Sequence, residues 1–132
     1  MTEIALLTTA LLFGGMVLYS FGFAAFIFNA LPAETAGPLI RKAFPHFYLF
    51  VLGTSAFAAA LAAIALDWAA VGLLISIAVT TIFARQVLMP AIKTATDTGQ
   101  KTRFKRLHGL SVLITLANIA VAGFVIVQLA AL

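Results

Sequence analysis

Cysteine is absent from this chain, which excludes disulfides, thiolate nucleophiles, iron–sulfur clusters and cysteine zinc sites. Charge is scarce. Of 132 residues only 9% are charged and 64% are hydrophobic, whereas a soluble domain carries about 25% charged and roughly 45–50% apolar residues. A water-facing surface cannot be built from so few charges, so lipid must solvate the outside. Carboxylates are scarcest of all, with four Asp and Glu against eight Lys and Arg. None of the four lies within an apolar run. That argues against a proton- or sodium-coupled pathway, which places Asp, Glu or His in chains through the membrane. It also leaves no acid/base pair for hydrolysis, and Ser111 near His108 lacks an orienter and an oxyanion hole. A non-enzymatic protein is expected.

What is present is long uncharged sequence. Ile4–Ala33, Ala43–Leu66, Trp68–Ala84 and Leu107–Leu132 contain no charge. A helix needs about 20 apolar residues to cross a hydrocarbon layer of about 30 Å. Barrel strands alternate apolar and polar positions, and runs such as Phe57–Leu66 do not. The expected fold is therefore all-α: an integral membrane four-helix bundle, up-down-up-down, forming one domain over residues 1–132. Its helices are expected over about 4–30, 45–66, 68–92 and 107–132. Pro45 suits a first helical turn, Ala36-Gly37-Pro38 marks a break, and Pro90 should bend or end the third helix. Asp67 before Trp68 makes a tight reversal. Glu3 without a nearby Lys or Arg argues that the first helix is a retained span and not a signal peptide.

With four spans, loops 31–44 and 93–106 fall on one side and carry Arg41, Lys42, Lys93, Lys101, Arg103, Lys105 and Arg106. The positive-inside rule places both loops in the cytoplasm and both termini outside (N-out/C-out), in a multi-pass protein of a bacterial inner membrane.

Helices in lipid associate through small residues and a few polar contacts. Three stripes at helical spacing are expected to face inward: Gly15-Leu18-Gly22-Ala25-Asn29, His46-Leu49-Gly53-Ala56-Ala60-Ala63 and His108-Ser111-Thr115-Asn118-Ala122. The third helix is ambiguous between a Gly72-Ser76-Thr80 face and a Thr81-Arg85 face. Asn29, His46, Tyr48, Arg85, Arg106 and His108 collect at the cytoplasmic end. Arg85 should lie about 10 Å inside the third helix, with no carboxylate partner in the bilayer. An intramembrane cation without a partner points to an anionic lipid headgroup or a small anion as ligand, although an arginine can also snorkel to the headgroups. Membrane lipids are the expected partners, with a larger membrane complex or a homo-oligomer beyond them. No nucleic acid is expected, because no reading module fits in so short a basic loop.

No cofactor and no metal site is expected, since two histidines without an acid under-ligate a metal. The alternatives are a haem-binding redox protein using His46 and His108 as axial ligands, and a small transporter or channel component.

The segments Gly14–Phe50 and Phe104–Leu116 resemble the transmembrane-protein-205-like family of small four-helix membrane proteins. The resemblance rests on Gly14-Gly15, Phe28, Leu31, Ala36-Gly37, Phe44-Pro45, Tyr48, and Arg106-Leu107-His108 with Ser111. The chain departs from that pattern at Ala25, Phe47 and Thr115, where the family pattern has proline, tyrosine and asparagine, and His46 falls at a variable position. The resemblance implies the four-helix architecture and supplies no reaction; an accessory or assembly subunit is the role expected from the absence of catalytic groups.

Overall fold

The computed structural model describes residues 1–131. Four helices dominate it: α1 (Thr2–Ala30), α2 (Ala33–Ile64), α3 (Trp68–Asp97) and α4 (Lys101–Ala130), with 29, 32, 30 and 30 residues. Each is long and apolar enough to cross a membrane. At about 1.5 Å per residue they reach about 44–48 Å, well beyond a hydrocarbon layer of about 30 Å. The chain runs up and down around a square, α1 packing on α2 and α4, and α3 on α2 and α4.

The helix boundaries depart from the proline pattern of the sequence. α2 starts at Ala33 and not at Pro45, and both Pro38 and Pro45 lie inside it. The break falls at Leu31–Pro32. Proline excludes the preceding residue from the helical region, and Leu31 is extended (φ −124°, ψ 151°). Pro32 then starts α2 by accepting from the Thr35 and Ala36 N–H groups at 3.0 and 2.9 Å. Gly37-Pro38 therefore does not end a helix. Pro38 and Pro45 only leave the Glu34 and Arg41 carbonyls without their usual donors, at a level where water and headgroups can satisfy them.

Pro90 likewise fails to end α3. A π-turn over Ala84–Leu88 precedes it, and the Met89 N–H reaches back to the Ala84 carbonyl. The wider turn makes room for the ring. The helix then runs to Asp97, and α4 begins at Lys101, so the expected loops shrink to Leu31–Pro32 and Thr98–Gln100. Gly99 supplies the left-handed residue (φ 69°) that the second link needs. A second π-turn occupies Leu18–Phe23 in α1.

At the opposite end the reversal at Asp67 forms as the sequence suggests. Leu66 adopts a positive φ of 62°, a strained setting for a non-glycine residue. Asp67 compensates. Its Oδ1 accepts from the Ala70 N–H at 3.1 Å and from Gln128 Nε2 at 3.3 Å, tying α2, α3 and α4 together. Asp67→Ala removes a helix cap, worth about 1 kcal/mol, and the tie to α4. It should lower the thermal midpoint in mild detergent, whereas Glu3→Ala, at the exposed N-terminus, should leave it unchanged.

The buried seam is Ala5, Thr9, Leu12 and Met16 on α1; Phe47, Tyr48, Val51, Ser55 and Ala58 on α2; Leu74, Ile77, Thr81, Ala84 and Leu88 on α3; and Asn118, Ala122, Val125 and Leu129 on α4. Two of the expected stripes are thereby corrected. On α1, Gly15 is half-buried, but Leu18, Gly22, Ala25 and Asn29 are exposed. On α2, His46, Leu49, Gly53, Ala56 and Ala60 are exposed. The reason is that every face of these helices is apolar, so small residues do not mark the inside. Met16, Phe47 and Tyr48 fill the centre. The α4 stripe holds from Ser111 onward, and α3 presents its Thr81 face.

Above the two π-turns the four-way packing ends. Ala24–Ala30 packs back on α2, and Met89–Asp97 packs back on α4, but the two hairpin tips make little contact with each other. The first tip keeps its own small core of Ile27, Ala36 and Ile40. The bundle is forked.

Candidate anion site at the fork

Measured from the Asp67 end at about 1.5 Å per residue, Tyr19, Ser20, Tyr48, Arg85 and Ser111 all stand about 24–29 Å up the bundle. This is the level at which the hairpins part. Tyr48 is buried (5% exposed). Tyr19 stacks on Phe47 with ring centroids 4.4 Å apart and on Phe23 at 5.0 Å, and meets Phe44 edge-on at 5.7 Å. These rings hold the π-turn of α1 against α2.

Three polar atoms in this layer are buried without a hydrogen-bond partner: Tyr19 Oη, Ser20 Oγ and Arg85 Nε. All three residues sit in the π-turns. A buried unmatched polar group costs about 1–3 kcal/mol, more when charged, and lipid offers no water to relieve it. Arg85 spends one other donor on its neighbour, Nη1 donating to Gln86 Oε1 at 3.1 Å. Just below, a cavity of about 10 Å³ is lined by Tyr48, Thr81, Thr115 and Asn118 among apolar residues, room for about one water. The Thr80 hydroxyl and the Asn118 carboxamide lie 3.1 Å apart beside it.

Above the layer stands a collar of cations. Arg41 and Lys42 on α2, Lys93 on α3, and Lys101, Arg103, Lys105 and Arg106 on α4 are all exposed. Among the described residues none of the eight Lys and Arg side chains pairs with a carboxylate; the ion pair that does form joins the N-terminus to Glu3 at the far end, at 3.7 Å. The start of α4 compounds this. Gln100 provides no side-chain cap and no acidic residue occupies the first turn, yet four cations crowd the first two turns, against the helix dipole. An anion placed there would relieve both.

The structure separates the residues singled out from sequence. Tyr48 and Arg85 share the polar layer. His46 and His108 share its approximate level but are exposed on the outside of the bundle, His108 stacked on Phe104 at 5.7 Å. The inward positions beside them belong to Phe47, Tyr48 and Ser111. Arg106 is part of the collar, in a shallow depression with Lys101, Thr102 and Arg103. Asn29 lies at the tip of the first hairpin, about 15 Å above Arg85 by helical rise. Among the described residues no cluster of three His, Asp or Glu side chains gathers to hold a metal. Tyr19 and Ser20 escaped the sequence reading. The available signal was two adjacent hydroxyl residues midway along an otherwise apolar run.

Fold and site together define a four-span, all-α membrane protein whose cations gather toward one end, with a second, smaller polar group of Asp67 and Gln128, each also holding a buried unpartnered oxygen, at the other. The chain belongs to the family described as a domain of unknown function (DUF4149), which matches residues 7–101. No curated protein and no solved structure matches it.

Proposed function

We propose that this protein is a non-enzymatic membrane protein that holds an anionic lipid headgroup where its bundle forks. The observation that carries this is the set of buried, unmatched donors (Tyr19 Oη, Ser20 Oγ and Arg85 Nε) beneath a collar of cations that no carboxylate neutralises. A lipid phosphate entering where the hairpins part would supply acceptor oxygens to donors of this layer and negative charge beneath the collar. The positive-inside rule puts the collar in the cytoplasmic leaflet, where anionic lipids attract each nearby cation by about 1 kcal/mol. An accessory or assembly role in a bacterial inner membrane fits a lipid-binding scaffold without catalytic groups.

Native mass spectrometry of the full chain in mild detergent tests the reading. With equal phosphatidylglycerol and phosphatidylcholine added, bound phosphatidylglycerol should dominate and survive gentle activation. Inorganic phosphate in a parallel sample should compete weakly, because it lacks the acyl chains. Equal retention of the two lipids would count against a headgroup site, and full displacement by inorganic phosphate would reassign it to a free anion.

A further inference from the structure

The two hairpin tips stand at the same level but differ in chemistry. The second, Lys93–Arg103, exposes Lys93, Thr96, Asp97, Gln100 and Lys101 and suits water. The first exposes Phe26 (64%), Phe28 (54%) and Leu39 (38%) on its flanks, with Asn29, Glu34 and Thr35 exposed around its turn, an aromatic and polar mixture that suits an interface. Phe26 and Phe28 continue the outward face of α1, where Leu11, Leu18 and Phe21 are exposed to lipid. No charge interrupts α1 from Ile4 to its end at Ala30, which at about 1.5 Å per residue overshoots a hydrocarbon layer of about 30 Å by about a third of its thickness. An apolar helix too long for its bilayer is accommodated by tilting or bending. The means are in place: the tips make little contact with each other, and Pro38 and Pro45 each remove a backbone hydrogen bond from α2.

We infer that the first hairpin tip, Phe23–Ile40, leans away from the second and lies in the lipid interface, while the second stands in water. The occupant of the exposed aromatic face is the acyl–headgroup boundary of the surrounding leaflet. Continuity with the membrane-spanning face of α1 argues for lipid. So does charge, because Arg41 and Lys42 follow directly along α2, placed to meet phosphates as the tip settles beneath them. The fork thereby opens sideways to lipid.

Trp68 is the sole tryptophan and lies at the far end of the bundle, which makes a depth measurement direct. In a Trp68→Phe background, Phe28→Trp and, separately, Phe26→Trp report on the first tip and Thr98→Trp on the second. The full chain is placed in phosphatidylcholine/phosphatidylglycerol vesicles, with either brominated acyl chains or acrylamide on both sides as quencher. The first-tip tryptophans should be quenched several-fold more by brominated lipid than Thr98→Trp, and several-fold less by acrylamide. Acrylamide quenching equal to that of Thr98→Trp would put the tip in water and overturn the inference. Shielding from both quenchers would overturn it in favour of a second copy covering the face. Either of the two first-tip variants suffices if the other does not fold.

Discussion

Arg85→Leu is expected to lower phosphatidylglycerol retention by about tenfold or more. Hydrogen bonds to charged groups contribute about 1.5–3 kcal/mol, and each 1.4 kcal/mol is about tenfold in affinity. The same substitution should leave the lipid-free protein as stable as before or more so. It removes a cation whose Nε is buried without a partner, and exchanging a poorly compensated buried charge for an apolar side chain is often neutral or stabilising. Stabilisation by added phosphatidylglycerol should shrink in parallel, because a ligand that binds only the folded state raises its stability by mass action. Arg85→Lys should fall between, keeping the charge and losing the planar fork of donors. Thermal melts with and without lipid, beside native mass spectra, check both variants. Undiminished retention in Arg85→Leu would remove Arg85 from the site. A large loss of lipid-free stability would mean that it serves the fold instead.

A contrast between two glycines should have the next largest effect. A Cβ built on Gly15 would lie 2.5 Å from Phe50 Cε1, whereas one on Gly53 meets nothing within 4 Å. Gly15→Leu must therefore displace the Phe50 ring or push α1 from α2, and overpacking of this kind costs about 1–3 kcal/mol. Gly53→Leu adds an apolar side chain on the exposed face and replaces a poor helix former, so it should be neutral or slightly stabilising. Thermal unfolding of the two variants in mild detergent reads the difference. Adding Phe50→Ala to Gly15→Leu should recover part of the loss, since it removes the colliding ring. Equal losses at the two positions would mean that both glycines face inward and that the seam is wrongly assigned.

The two glycines also show where the sequence was ambiguous. Gly15 and Gly53 sit in equivalent small-residue stripes, and small residues at helical spacing are how membrane helices approach closely. In water, the exposed face of each helix would have been polar and the choice obvious. In lipid both faces are apolar, and only the packing of Phe50 against Gly15 tells the two apart. The prolines misled for a related reason. Gly37-Pro38 has the composition of a break, but Leu31-Pro32 makes it, because a chain reversing after α1 needs an extended residue there. Pro90 is housed by a π-turn that no local pattern announces. Arg85 stood out as a lone cation in an apolar helix. Tyr19 and Ser20 did not, because a hydroxyl inside a span usually bonds its own backbone, as Thr9 and Thr81 do here.

By itself the sequence determined that this is a four-span helical membrane protein with its cations at one end. Uncharged runs of that length must satisfy their backbone groups within oil, and an even number of crossings returns both basic segments to the same side. Only the tertiary structure decided which face of each helix turns inward, that the helices are longer than a hydrocarbon layer requires and separate toward two hairpin tips, and that Tyr19, Ser20, Tyr48 and Arg85 stand at one level. Those outcomes depend on how large side chains fill a common centre, which no single helix specifies when lipid accepts every apolar face alike.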